Sequence, residues 1–274
     1  MKKERTLISF DWALKSILRQ KDNFDILEGF LSDLLDDNIT ILELLESESN
    51  KDSTADKFNR VDLKAKDGKG REVIIEVQYD KEPDYLERVY YGVSKSLTDN
   101  MKEGYRYKNV KKIISVSIVY WKMLEQSYCI KGEMKFKDLT DGDREIKIAP
   151  DRNVFAEYYF IQPEWFGDNI KTKLDEWVYL FKYSKIKGDI EATNINRAKD
   201  KLDKLKMTEE ERAAYESYKF NQTINEGVVQ VKIDEAVEKN NEKRDRQIMQ
   251  IIQAMKANGM NDEEINKIIS SANQ

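Results

Sequence analysis

Residues 58–79 read Phe58-Asn59-Arg60-Val61-Asp62-Leu63-Lys64-Ala65-Lys66-Asp67-Gly68-Lys69-Gly70-Arg71-Glu72-Val73-Ile74-Ile75-Glu76-Val77-Gln78-Tyr79. Apolar and polar residues alternate along both halves. Between them sits Asp67-Gly68-Lys69-Gly70, whose glycines suit positive backbone torsions. The period of two predicts a β-hairpin of residues 58–66 and 71–79. Val61, Leu63 and Ala65 then share one face with Val73, Ile75 and Val77. Arg60, Asp62, Lys64, Glu76 and Gln78 fall together on the other, joined by Ile74. The pairing requires an odd-length loop or a bulge, because a plain four-residue loop would set Asp62 opposite Ile75. A one-residue slip would bury the charges, so the apolar pattern decides the register.

Upstream of the hairpin, residues 9–20 suit a short amphipathic helix with Trp12, Leu14, Ile17 and Leu18 on its apolar side. Asp11 and Lys15 are spaced i,i+4 on it. A second helix is expected over 24–35. Asp36-Asp37-Asn38 breaks it, and a strand over 39–45 follows. Downstream, residues 84–101 take helical spacing with Leu86, Val89, Tyr90, Val93, Leu97 and Met101 as the core stripe. Residues 110–121 are β-branched and apolar enough for a central buried strand. Residues 128–136 and 154–161 suit strands nearer the sheet edge. This order predicts a mixed sheet flanked by helices. Beyond residue 164 the pattern is helical: 165–183, then 208–220 opened by a Thr208/Glu211 capping box, then a charged helix over 225–257 that stops at Asn258-Gly259. Asn261 and Glu264 cap a last short helix. A boundary near residue 187 divides the chain into 1–187 and an all-helical 188–274.

Composition narrows the chemistry. The chain of 274 residues has no histidine and one cysteine, Cys129. A zinc centre is therefore not expected, and Ser-His-Asp, Cys-His and His-metal catalysis are excluded. Catalysis must run on carboxylates, Lys, Arg, Tyr or a hard cation held by oxygen. A lone cysteine fits a reducing cytoplasm. No signal peptide or membrane span is expected, so the chain reads as cytoplasmic. The net charge of −5 means that phosphate binding would need a local basic face.

The polar hairpin face is where such chemistry can reside. Two carboxylates about 4 Å apart repel by roughly 4 kcal/mol at the effective dielectric of a protein surface. A divalent cation relieves that repulsion, and an oxygen-only donor set suits Mg²⁺ or Mn²⁺. Polar strand faces are common, however, and the alternation alone favours a solvent-washed hairpin over a site.

The quoted run resembles the core of the recombination-promoting nuclease family, also described as transposase-like, within the PD-(D/E)XK superfamily. The likeness continues upstream through Phe10-Asp11-Trp12-Ala13-Leu14-Lys15. Downstream it takes in Tyr85-Leu86-Glu87-Arg88, Gly104-Tyr105 and the strand after them, in order across most of residues 8–160. It implies an α/β, restriction-endonuclease-like mixed sheet flanked by helices, and a Mg²⁺- or Mn²⁺-dependent DNA endonuclease. It also implies metal ligation by Asp62 and Glu76, assisted by Asp11. Gln78 falls where the superfamily pattern has its Lys. An amide can orient a water but carries no charge, which Lys15, ahead of Lys64, would have to supply. Arg88, Tyr91 and Lys95, at i, i+3 and i+7, join Arg60 and Lys64 as candidate phosphate contacts. Tyr79 is expected to close the core rather than to stack on a base.

The C-terminal helix does not sustain heptads. Met255-Lys256-Ala257-Asn258-Gly259-Met260-Asn261 suits a packing or homodimerising helical hairpin better than a DNA reader. Beside the nuclease stand an RNase using the same site and a non-catalytic binding or oligomerisation protein that keeps the fold.

Overall fold

The computed structural model describes residues 9–16, 18, 20–45, 62–79, 81–99, 101, 106–188, 190–203, 206–261 and 264–265. Two compact units divide it, Met1–Arg212 and Ala213–Gln274. No helix among the described residues is long and apolar enough to cross a membrane.

The first unit opens with helices α1 (Phe10–Ser16) and α2 (Phe24–Leu35). Strands β1 (Ile41–Leu45), β2 (Leu63–Asp67) and β3 (Glu72–Gln78) follow, then helix α3 (Tyr85–Asp99) and strand β4 (Ile113–Val119). Strands β5 (Cys129–Gly132), β6 (Phe136–Asp138), β7 (Arg144–Ile146) and β8 (Glu157–Ile161) precede helices α4 (Lys173–Tyr183) and α5 (Ile195–Lys201). The main sheet has the order β1-β2-β3-β4-β8-β5. β3, β4 and β8 run parallel, and β1, β2 and β5 pair antiparallel at its two sides. This is the expected mixed sheet with flanking helices. β4, whose every residue is buried, lies at its centre, as its β-branched, largely apolar run suggests.

One strand expectation needs correction. The segment 154–161 supplies β8, next to the edge strand β5, whereas the strand expected over 128–136 ends at Gly132. β6 and β7 form a separate two-stranded hairpin. It turns at Gly142, whose φ is 57°, a torsion that glycine accepts without strain.

The hairpin register is that of the parity pattern. Leu63 faces Ile75, Ala65 faces Val73 and Lys66 faces Glu72. Asp67 N–H then donates to the Arg71 carbonyl at 3.0 Å, leaving the odd-length loop Gly68-Lys69-Gly70. Gly70 has φ 75°, the left-handed residue that three-residue hairpin loops use. Asp67 is buried and ties the loop down. Its carboxylate accepts from Lys69 N and Arg71 N and pairs with Arg71 Nε at 2.6 Å.

α3 covers the sheet face that carries Ile74, Ile113, Val119 and Phe160, through Tyr85, Val89 and Val93. Its buried stripe is Tyr85, Val89, Val93 and Ser96, while Leu86, Tyr90 and Leu97 are exposed. The stripe expected from the sequence is thus rotated, because Tyr85 and Ser96, polar at their tips, outcompete flanking apolar residues for inward positions. Asp62 and residues 63–79 are described; the rest of the expected first strand, residues 58–61, lies outside the described residues.

α1, α2 and α4 share an aromatic cluster. Phe10 packs on Phe30 and Phe181, and Phe30 on Trp177. α4 starts on a capping box, Thr172 with Asp175. The chain leading into α5 packs on α2 through Thr193 at Asp33, and α5 itself through Arg197 at Asp25, across the boundary expected near residue 187.

The helix α6 (Glu209–Ala257) is continuous. Two helices, 208–220 and 225–257, were the expectation, but the joining Asn221-Gln222-Thr223-Ile224 has no proline or glycine to break the hydrogen-bond ladder. Thr208 and Glu211 cap it reciprocally, as do Asn261 and Glu264 the turn that follows. Gly259, φ 90°, ends it with Met260 N–H on the Met255 carbonyl. Val231, Ile233, Met249 and Ile251 on α6 are exposed.

Candidate active site

The site grows out of the hairpin register. Continued by one residue beyond Leu63/Ile75, the pairing brings Asp62 level with Glu76 on the polar face. The Asp62 carboxylate accepts the Val77 N–H at 2.7 Å, which fixes it against β3 beside the Glu76 backbone. β4 adds Ser117 as the parallel partner of Glu76. Ser117 is buried, and it hydrogen-bonds the Tyr85 phenol oxygen.

Glu76 itself is buried and reached from above by α3. Tyr85 Oη donates to its Oε2 at 3.3 Å, and Arg88 Nη2 lies 3.4 Å from the same oxygen. Arg88 Nη1 is bound more closely to Glu82, at 2.6 Å. Burial raises the Glu76 carboxyl above its ordinary 4.5; Arg88 opposes that, the Asp62 charge adds to it, and the Tyr85 hydroxyl offsets part. For Tyr85, burial comes first and the Glu76 carboxylate second in pushing the phenol far above 10. Burial works against the Arg88 charge, but Glu76 and Glu82 outweigh it and hold the guanidinium protonated.

The raised Glu76 carboxyl sets a sign for stability. A carboxyl whose folded pKa exceeds its unfolded value favours folding while protonated, and that contribution is lost as pH rises from about 4.5 through the raised value. Glu76→Gln removes the buried charge. We expect the variant to melt higher than the parent at pH 8, by about 2–4 °C for each kcal/mol relieved, and the gain to shrink towards pH 4. Melting curves across that range check it; an equal or lower midpoint at pH 8 would contradict the direction of the shift.

Gln78 is two residues beyond Glu76 on the same face, half-buried. Lys64 is on this face too, but its ammonium pairs with buried Glu72 at 3.0 Å, and Ser96 donates to the same Glu72 oxygen. Arg88 differs from the solvated position its spacing suggests: it points inward to Glu76 and Glu82. Tyr91 is exposed and Lys95 is half-buried. Tyr79 stacks on Tyr120, ring centroids 4.1 Å apart, as a core-closing residue does. The side chains of Asp11 and Lys15, and all of Arg60, lie outside the described residues.

Tyr85, Glu82 and Ser117 are members of the site that the sequence reading passed over. Tyr85 sits at i−3 from Arg88 and i−4 from Val89, a spacing that places it on the inward side; Ser117 was hidden in an apolar strand.

The donor set fits a hard divalent cation. Asp62, Glu76 and the Gln78 amide offer oxygen ligands, and a cation would favour the Glu76 charge that burial opposes. Among the described residues no group of three or more His, Cys, Asp or Glu gathers round a common point. Two carboxylates with waters completing the shell is a Mg²⁺ pattern rather than a calcium cage.

The family model described as PD-(D/E)XK nuclease family transposase matches residues 8–223. No curated protein and no solved structure matches the chain.

Proposed function

We propose, from the premise that this chain belongs to the PD-(D/E)XK nuclease family of transposases, that it is a Mg²⁺- or Mn²⁺-dependent endonuclease cutting DNA phosphodiester bonds in recombination or mobile-element movement. The observation that supports the reading best is the Asp62–Glu76 pair: one carboxylate just before β2, fixed by the Val77 N–H, and the other on β3, buried under α3.

Asp62 and Glu76 would hold the cation, with Asp11 as a third candidate. When bound, such a cation supplies Lewis acidity, polarising a phosphate oxygen and lowering the pKa of the attacking water. The chain's own groups do the rest. The Val77 N–H holds Asp62 in one orientation, and the Tyr85 hydroxyl does the same for Glu76. Gln78 can orient a water through its amide but cannot balance charge. Lys95 and Tyr91 on α3, with Arg60, are candidates for backbone phosphates, which position DNA without reading it.

Gln78 in place of a lysine favours one second reading, a nucleic-acid-binding or oligomerising protein that keeps the fold without turnover. Purified protein incubated with DNA and RNA substrates in Mg²⁺, Mn²⁺ or chelator separates the cases. The nuclease reading expects DNA cut with either cation and intact with chelator. DNA left whole in both cations, with no heat of divalent binding, would sink it; RNA cut in preference would move the substrate class.

A further inference from the structure

We propose that Arg88 is the movable counter-ion of this site: it holds Glu76 while no cation is present and passes to a substrate phosphate when one is. The inference rests on the nuclease reading above and supplies the positive charge that Gln78 lacks.

Three observations on the guanidinium carry it. Its two contacts are unequal, 2.6 Å to Glu82 and 3.4 Å to Glu76. Glu82 is thus the firm anchor and Glu76 the looser partner. Its Nε is buried and has no hydrogen-bond partner. A guanidinium offers five donors in a rigid fork, and a buried unpaired donor is costly. Lastly, the Arg88 side chain keeps 24% exposure, so the residue is not sealed off as a whole, and its buried Nε meets a ligand once the guanidinium turns away from Glu76.

Nε and Nη2 form one edge of the guanidinium. In this structure that edge holds the orphan donor and the long bond to Glu76. A cation beside Glu76 competes for its oxygens and repels Arg88, since like charges at short range cost several kcal/mol at the effective dielectric of a protein. Anchored through Nη1 on Glu82, Arg88 can release Glu76 without losing its other partner. The freed edge presents two parallel N–H groups, the pattern that matches two phosphate oxygens. Lys64 is a poorer source of that charge, because Glu72 already engages it.

The two halves of the role have opposite signs, which a merely structural role would not produce. Arg88→Ala should bind Mn²⁺ several-fold to about tenfold more tightly by calorimetry, since its competitor for Glu76 is gone. Its kcat at saturating cation should fall about 10²- to 10³-fold, the loss typical of removing one donor aimed at developing charge. Arg88→Lys should fall between. Gln78→Lys added to Arg88→Ala should recover at least about tenfold, because charge returns to the same face.

A phosphate contact also shows in DNA binding with Ca²⁺ in place of the active cation. The salt slope of log affinity should drop by about one in Arg88→Ala. Mn²⁺ affinity unchanged or weakened in the variant would overturn the proposal, as would an unaltered kcat or an unaltered salt slope. If Arg88→Ala does not fold, Arg88→Gln, which keeps the stem, carries the same three measurements. If the parent protein cuts no DNA, the nuclease reading fails by itself. The Mn²⁺ affinities and salt slopes then still decide whether Arg88 exchanges Glu76 for a phosphate.

Discussion

Asp62→Asn is expected to lose divalent-dependent cleavage by about a hundredfold or more while melting close to the parent protein. The Asp62 carboxylate has two separable tasks. One is structural: its Oδ2 accepts the Val77 N–H at 2.7 Å and so extends the hairpin by a rung beyond Leu63. An asparagine oxygen can accept the same bond. The other is electrostatic, one of the two negative charges that would hold a cation against Glu76. A cation's stabilisation of transition-state charge is worth several kcal/mol, and each 1.36 kcal/mol is tenfold in rate. Asp62→Ala removes both tasks. It should lose the same activity and in addition roughly 1–3 kcal/mol of stability, the cost of a hydrogen bond to a charged acceptor. Cleavage assays beside melting curves for both variants check the split. Cleavage by Asp62→Asn within tenfold of the parent would remove Asp62 from the metal site.

The sheet's centre and its hairpin were legible because their patterns are local. Period-two alternation is fixed by the pleat, and the apolar positions left one register that set Asp62 and Glu76 together on the face opposite Val73, Ile75 and Val77. What α3 does was not legible in the same way. Its stripe was read from Leu86 and Tyr90, but the structure buries Tyr85 and Ser96, whose polar tips find Glu76 and Glu72 on the strand below. A hydrophobic period cannot anticipate a buried position that is held by a hydrogen bond.

The same limit hid the inward partners of Arg88. On a helical wheel it is one more charge on a solvated face; in three dimensions Glu76 and Glu82 draw it inward. The missing lysine of the motif could be read from Gln78, whereas the guanidinium proposed to replace it could not, because Arg88 stands on a different element. Glu76 therefore sits in a site assembled by three pieces of chain: β2 contributes Asp62 from just before its start, β3 the glutamate and the amide, and α3 the phenol and the guanidinium. Each piece alone reads as ordinary secondary structure.

The packing of residues 193–202 on α2, across the boundary expected near residue 187, leads to the second large effect. Asp33, in the last turn of α2, accepts three hydrogen bonds: from Trp177 Nε1 at 2.9 Å, and from Thr193 N and Thr193 Oγ1 at 2.8 Å each. One helical turn earlier, a Cβ on Gly29 would come within 2.1 Å of the Thr193 carbonyl oxygen. The chain at residue 193 thus lies against α2 where only glycine permits it. Asn194 and Arg197 add bonds to Asp25, and Ile195, Ala198 and Leu202 are buried behind them. Asp33→Ala leaves the indole N–H of the fully buried Trp177 and the Thr193 donors without their acceptor. With bonds to a charged acceptor worth about 1.5–3 kcal/mol each and non-additive within one network, the loss should be roughly 3–5 kcal/mol. At about 2–4 °C per kcal/mol for a unit of this size, the melting midpoint should fall by roughly 6–20 °C. Gly29→Ala, which forces the two backbones apart, should destabilise in the same direction. A chain ended at residue 187 should do so as well, whereas one ended at 223, which keeps α5 and the buried Tyr215, should melt nearer the full-length midpoint. Calorimetry on the four proteins tests this. Equal midpoints for the chains ended at 187 and 223 would mean that residues 188–223 add nothing to the stability of the first unit, and that the Asp33 network stabilises only the α2–α4 pair.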